Sequence, residues 1–215
     1  MGEAELHNST GTLVIHSVLF FYGDAASEEL STQIANDIST HWNEPKAKVT
    51  IKGEVYEVRF DIDGIFEPDL DPEKVWYNDN PRFNFFRIEE FSMNDISFVD
   101  GIGCNTGYFK LSNLLQTSTT AAHEYGHTLG LDHPSDLDIR GRATPGIMYP
   151  RGTICDPHFQ YDAAVAPGEK GGTLNPWYRK VLQEDIDGLK LHRLLFTHGR
   201  AVVGDFSSMY HEKHG

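Results

Sequence analysis

The side chains best suited to chemistry lie near the middle of this sequence, in the segment TAAHEYGHTLGLDH at 120–133. His123 and His127 are four residues apart, so on a helix both imidazoles project from one face. Two such imidazoles suit a zinc ion, which binds histidine nitrogens at about 2.0–2.1 Å. His133 is a candidate third ligand, and three protein ligands leave one position for water, as in catalytic zinc sites. Glu124 lies beside His123, where it can reach that water without ligating the metal.

A helix has to position these ligands, and the pattern predicts one from Thr117 to Leu131, with capping candidates at 118–120. Gly130 lets the chain leave the helix through a backbone conformation that a side chain would penalise, and so returns His133 to the other ligands. The alternative is a helix that carries surface histidines and ends at a glycine. The five fixed positions of HExxHxxGxxH disfavour that alternative.

The rest of the chain predicts an α+β fold. The run Leu13–Tyr22 is rich in β-branched and aromatic residues and predicts a buried strand, and Ser27–Trp42 has the spacing of an amphipathic helix. A third helix is expected to open at Pro176 and to run through the apolar positions up to Leu191. Further strands are expected at Val49–Ile51, Val55–Ile62, Asn84–Ile88 and Ile96–Val99.

The extended zinc motif resembles that of the metzincin superfamily of zinc endopeptidases, and within it most closely the matrixins. Met148, in the segment GIMYP at 146–150, is similar to the methionine of their Met-turn, where it would form a hydrophobic floor beneath the ligands. The resemblance implies a single catalytic domain over 1–215, with subdomains of about 1–131 and 132–215. It also implies a mixed twisted sheet with a backing helix, an active-site helix above the cleft, and an irregular C-terminal subdomain with the Met-turn and a closing helix.

The implied activity is hydrolysis of peptide bonds in proteins or peptides, with one catalytic zinc held by His123, His127 and His133 and with Glu124 as general base. Two alternatives stay open at this stage. One is a non-catalytic binding module that keeps the zinc fold, which the intact Glu124 disfavours. The other is a zinc hydrolase that acts on a non-peptide amide.

A peptide substrate is expected to bind in an extended form against an exposed strand edge beside the zinc helix. The segment from Asn105 to Leu111 is the candidate edge, with an ordinary core strand as the equally weighted alternative. Asn105, Gly107 and Tyr108 are therefore candidate cleft residues. Tyr149 is a further candidate, either in the cleft wall or in ordinary packing.

Several positions depart from the matrixin pattern. No histidine lies between His41 and His123, so we expect the second, structural zinc site of matrixins to be absent. Arg151 stands close to the place of a matrixin tyrosine that helps wall the specificity pocket. The segment from Arg151 to Asn175 is also longer than its matrixin counterpart and is expected to reshape the S1′ side of the cleft.

Calcium and a disulfide are the remaining candidates for stabilising groups. Calcium is possible at three acidic pairs, although none has the spacing of an EF-hand and solvated loops are the favoured interpretation. Cys104 and Cys155 could form one bridge, or Cys104 could approach the zinc, but unpaired thiols are preferred. The acidic pairs are Asp61 with Asp63, Asp69 with Asp71, and Asp136 with Asp138.

Composition excludes some partners and leaves the compartment open. The 215 residues carry 18 Lys and Arg against 32 Asp and Glu, a net charge of −14, so we expect no nucleic-acid partner. The longest apolar run is about ten residues, shorter than the roughly 20 that a membrane span needs. We expect a monomer that acts on a protein or peptide, secreted or extracellular if a leader was removed and cytoplasmic before export otherwise.

Overall fold

The computed structural model describes residues 1–115 and 118–214 and has an α+β architecture built on a mixed sheet. The strands are β1 (Gly2–His7), β2 (Thr12–Tyr22), β3 (Lys48–Ile51), β4 (Glu54–Phe66), β5 (Phe83–Glu89), β6 (Phe98–Val99), β7 (Thr106–Lys110) and β8 (Arg200–Val203). The helices are α1 (Glu28–Asn43), α2 (Pro72–Trp76), α3 (Thr120–Thr128) and α4 (Gln183–Gly188). The α+β class expected from the sequence is confirmed, and within the described residues no helix has the length and apolar character needed to cross a membrane.

Strand β2 is the centre of the sheet, whose order is β3-β4-β2-β5-β7-β6. It pairs in parallel with β4 along one side. Along its other side it pairs first with the antiparallel β1 and then, from Val18 to Tyr22, with the parallel β5. Strand β8 extends the sheet beyond β1, and the short antiparallel β6 lies outside β7.

The core forms between the sheet and α1 because both elements present regularly spaced apolar side chains. Leu13 and Ile15 are fully buried on one face of β2, as alternation along a strand requires. Ile34 and Ile38 of α1 belong to the same core cluster. Helix α1 begins where Ser27 accepts the backbone N–H of Leu30 at 3.1 Å, as expected for a serine N-cap.

The first strand and the first helix predicted from the sequence are confirmed to within one residue at each end. The predicted third helix is confirmed only in part: a 3-10 turn begins at Leu191, and the rest of the range forms two separate pieces, a 3-10 turn at Pro176–Tyr178 and the short helix α4. Between them, the backbone N–H of Lys180 donates to the carbonyl oxygen of Pro145 at 2.9 Å. This pairing draws the chain into an extended path that interrupts the helical spacing.

The two cysteines do not form the disulfide that the sequence left open. Cys104 and Cys155 are both free thiols. Cys155 is fully buried and packs with Ile139 and Leu174 in a small core cluster. In this position its thiol acts as a small hydrophobic side chain.

Candidate metal centre

Helix α3 is buried along its whole length, and contacts with the sheet and α1 fix its position. The indole Nε1 of Trp42 in α1 donates to the carbonyl oxygen of Ala122 at 3.0 Å. The hydroxyl of Tyr125 lies 2.7 Å from that of Ser17 on β2. The helix therefore cannot rotate without breaking buried hydrogen bonds, and the orientation of its histidines is set. The expected helix start at Thr117 lies outside the described residues.

Glycine ends α3 in the way that the sequence predicts. Gly130 has a φ of +99°, in the left-handed region that favours glycine. Its N–H donates to the carbonyl oxygen of His127 at 3.0 Å, and that of Leu131 donates to Gly126 at 3.0 Å. This pair of bonds is the Schellman motif. It turns the chain back so that His133 returns to the histidines of the helix.

Three imidazole nitrogens meet at one point. Nε2 of His133 lies 3.0 Å from Nε2 of His123 and 3.1 Å from Nε2 of His127. Two of these residues are buried, whereas His133 is exposed. This group could hold a metal ion, because neighbouring ligand atoms around a tetrahedral zinc at roughly 2.1 Å lie about 3.4 Å apart.

The opposite nitrogens of the two helical histidines face backbone carbonyl groups. Nδ1 of His123 lies 2.8 Å from the oxygen of Ile147, and Nδ1 of His127 lies 2.7 Å from the oxygen of Leu131. A carbonyl oxygen can only accept, so these two contacts favour a hydrogen on Nδ1 and a lone pair on Nε2. At His123, Nη1 of Arg179 also lies 3.1 Å from Nδ1. Burial lowers the pKa of all three imidazoles, which keeps them neutral as metal binding requires.

A carboxylate and a guanidinium group lie next to the histidines. Burial raises the pKa of Glu124 to about 8, and the positive charge of Arg179 partly opposes that rise. Arg179 is itself buried, and its Nε and Nη1 donate at 3.0 Å to the hydroxyl of Thr119 and the carbonyl oxygen of Tyr149. Both charged groups line one cleft with His123. The sequence analysis missed Arg179, because no motif marks a lone arginine that lies far along the chain.

Met148 lies under the histidines in a tight turn. The turn is closed by the N–H of Tyr149, which donates to the carbonyl oxygen of Gly146 at 3.3 Å. A Cβ added to Gly126 would collide with the sulfur of Met148, so the methionine packs directly against the segment between the two helical histidines. Asp185 of α4 accepts the N–H of Leu182 at 2.8 Å, and its carboxyl oxygens lie beside Gly146 of this turn.

The candidate strand edge is wrong, because β7 is paired on both sides. It pairs with β5 on one side, and Gly107 and Tyr108 pair with β6 on the other. Asn105 and Tyr108 are fully buried. The edge strand of the sheet beside the cleft is β6. Ile96 and Ser97, which precede β6, line the cleft in place of the candidate residues of β7.

The remaining candidates make other contacts. The hydroxyl of Tyr149 accepts from Nη1 of Arg142 at 2.8 Å and lines a separate depression. The acidic pairs considered for calcium are used locally, since Asp71 caps α2 and Asp138 pairs with Arg140. Among the described residues, none of these pairs belongs to a group of three or more potential metal ligands.

No protein-family model matches the sequence, and no curated protein matches it significantly.

Proposed function

We propose that this chain is a zinc-dependent endopeptidase of the metzincin superfamily, similar to the matrixins in its zinc helix and its Met-turn. One observation carries the proposal: Nε2 of His133 lies within 3.1 Å of Nε2 of both His123 and His127, and the buried Glu124 lines the same cleft. The turn at Met148 and the mixed sheet support the metzincin-like zincin fold that the resemblance implies.

Zinc fits this donor set better than the harder divalent ions do. Neutral imidazole nitrogens suit zinc, whereas calcium and magnesium require oxygen ligands. The carbonyl groups of Ile147 and Leu131 fix both helical histidines from behind, as backbone carbonyls do for metal-bound histidines. Three protein ligands also leave a position open for substrate and water.

When bound, zinc would lower the pKa of a water molecule and polarise the carbonyl group of the scissile peptide bond. Glu124 would take the proton of the attacking water and pass it to the leaving amine. Its raised pKa suits this exchange, because a general base works best when its pKa lies near the working pH. Arg179 would limit the rise in that pKa and add a positive charge to the wall of the cleft.

A peptide would bind in an extended form along the outer edge of β6, next to Ile96 and Ser97 of the cleft. The exposed side chain of Ile96 provides apolar surface at this rim. Arg151 and Arg179 line the same cleft, so in a chain of net charge −14 the cleft itself is basic. A substrate segment that carries an acidic side chain would fit it.

The test is a paired measurement of zinc content and of cleavage of an unfolded protein such as reduced casein, with and without a chelator. Glu124→Gln preserves the size of the side chain and should retain zinc while it loses nearly all cleavage. Glu29→Gln, at an exposed position on α1, is the matched control and should cleave as the wild type does.

Two results would redirect the proposal. Zinc binding without cleavage of any peptide would favour the non-catalytic binding module. Cleavage of small acylated amines, with casein left intact, would favour a hydrolase for non-peptide amides. Full casein cleavage by Glu124→Gln would exclude Glu124 as the general base.

A further inference from the structure

A second group of potential metal ligands lies on the other face of the sheet. It consists of Glu5 and His7 on β1 and His16 on β2, whose ligand atoms all lie within 4.8 Å of one another. Side chains on β2 alternate between faces, and the hydroxyl of Ser17 contacts that of Tyr125 in α3. His16 therefore faces away from α3 and from the histidine triad that α3 carries.

The register of three neighbouring strands brings these side chains to one face. Glu5 and His7 are two residues apart on β1, so they project to the same side. His16 lies opposite Glu3 in the antiparallel pair of β1 and β2, which makes it the diagonal neighbour of Glu5. On its other side, His16 lies opposite Asp61 in the parallel pair of β2 and β4.

Asp61 orients the ring of His16. Its Oδ2 lies 2.9 Å from Nδ1 of His16, while Nε2 of the same ring lies 3.8 Å from Oε2 of Glu5. With Nδ1–H donating to the carboxylate, Nε2 presents its lone pair to the space shared with Glu5 and His7. A carboxylate behind an imidazole in this way is the usual support of a metal-bound histidine.

The carboxylates around this group outnumber the guanidinium groups, which favours binding of a cation. Arg82 donates from Nε to Glu3 at 2.8 Å, and Nη2 of Arg200 lies 3.5 Å from Oε1 of Glu5. Three carboxylates, those of Glu3, Glu5 and Asp61, thus face two guanidinium groups, which leaves one negative charge without a balancing partner. Arg200 contacts Oε1 of Glu5, whereas Oε2 lies 3.8 Å from Nε2 of His16 and 4.0 Å from Nη2 of Arg82.

We propose that Glu5, His7 and His16 form a second metal-binding site for a divalent ion that prefers imidazole ligands, such as zinc, with Asp61 as a positioning residue. Ligand atoms around one such ion lie about 3.0–3.4 Å apart. Small rotations of these partly exposed side chains would bring the ligand atoms from within 4.8 Å of one another to that distance. Because the ligands come from β1 and β2, a bound ion would hold β1 against the central strand of the sheet.

Zinc stoichiometry tests this site with zinc chloride as the only added ligand. Native mass spectrometry and calorimetric titration should give two zinc ions per chain for the wild type. His7→Ala and His16→Ala should each give one, whereas His192→Ala, at an exposed position outside both groups, should give two. Asp61→Asn should retain the site with an affinity about 10–100-fold lower.

The result is independent of the proposed peptidase activity. If the triad failed to bind zinc, the wild type would hold one ion and His16→Ala none. Equal zinc content in the wild type, His7→Ala and His16→Ala would overturn the second site and would leave His16 as an ion-paired residue between Asp61 and Glu5. Should one alanine variant fail to fold, zinc-dependent shifts of the imidazole ¹⁵N resonances of His7 and His16 in the wild type decide the same question.

Discussion

The carbonyl oxygen of Ile147 lies 2.8 Å from Nδ1 of His123, so the turn that contains Met148 holds the first histidine of the helix from behind. The carboxyl group of Asp185 lies beside Gly146 of the same turn and caps the start of α4 by accepting the N–H of Leu182. The orientation of His123 therefore depends on a segment more than 20 residues further along the chain. This dependence links the geometry of the candidate metal centre to the packing of the C-terminal part.

His133→Ala should separate metal binding from folding. His133 is exposed and lies beyond the end of α3, so its loss should change the free energy of unfolding of the metal-free chain by no more than about 0.5 kcal/mol. Zinc affinity at the triad should fall strongly, because one of three ligands is lost. Competition with a chromophoric chelator measures the affinity, with His158→Ala as the exposed control. Unchanged affinity in His133→Ala would remove this residue from the site.

Asp185 should make the metal-free chain less stable as the pH rises. Burial raises its pKa from 3.8 to about 6, although hydrogen bonds from Leu182 and Ile147 oppose the shift. The native state therefore binds this proton more tightly than the unfolded chain does. The stabilisation is complete below about pH 4 and is lost as the pH rises through about 6, with an upper limit of about 3 kcal/mol.

The comparison of wild type with Asp185→Asn isolates this effect from other carboxyl groups. Urea unfolding in the presence of a chelator, at several pH values from about 4 to 7, gives the two free energies of unfolding. The free energy of unfolding of the wild type minus that of Asp185→Asn should decrease over this range. A difference that stays flat or increases would show that Asp185 is not held in its protonated form by burial.

The sequence was sufficient to predict the ligands of the candidate metal centre because their spacing is local. Residues of one helix and its C-terminal turn, such as His123, His127 and His133, are brought together by helix geometry and by Gly130 alone. The central strand and the first helix were equally predictable, since Leu13–Tyr22 and Ser27–Trp42 have strong periodicity.

Features that depend on distant pairing could not be predicted in this way. The outer position of β6 is decided by two backbone pairs with β7, which no side-chain pattern encodes. The break before α4 follows from the pairing of Lys180 with Pro145. Arg179 enters the cleft for the same reason. The group at Glu5, His7 and His16 requires the register of β1 against β2.

Arg179→Met should shift the acid limb of the pH–rate profile to higher pH. The positive charge of Arg179 lowers the pKa of Glu124, so its removal should raise that pKa further and require a higher pH to ionise the base. The measurement is kcat/KM for peptide cleavage against pH, with Arg193→Met, at an exposed position, as the control. An unmoved limb, or a shift to lower pH, would contradict the coupling. Arg179→Lys retains the charge and should shift the limb less than Arg179→Met does.

Val99→Pro tests the strand edge at which we propose that substrate binds. Phe98 lies opposite Tyr108, and the N–H of Asp100 donates to the carbonyl oxygen of Thr106 at 3.0 Å. In an antiparallel pair, the backbone groups of the intervening residue point away from the partner strand. The N–H of Val99 therefore faces the outer edge of the sheet, and proline removes it without removing a bond to β7.

The expected result for Val99→Pro is a higher KM for extended peptides, with zinc content unchanged and kcat little affected. Val99 also packs partly against the core, so Val99→Ala is the matched control for lost side-chain contacts. The two variants should differ in KM by several-fold, since one backbone hydrogen bond contributes about 0.5–1.5 kcal/mol. Equal KM values for Val99→Pro and Val99→Ala would mean that the peptide does not pair with β6 at this position.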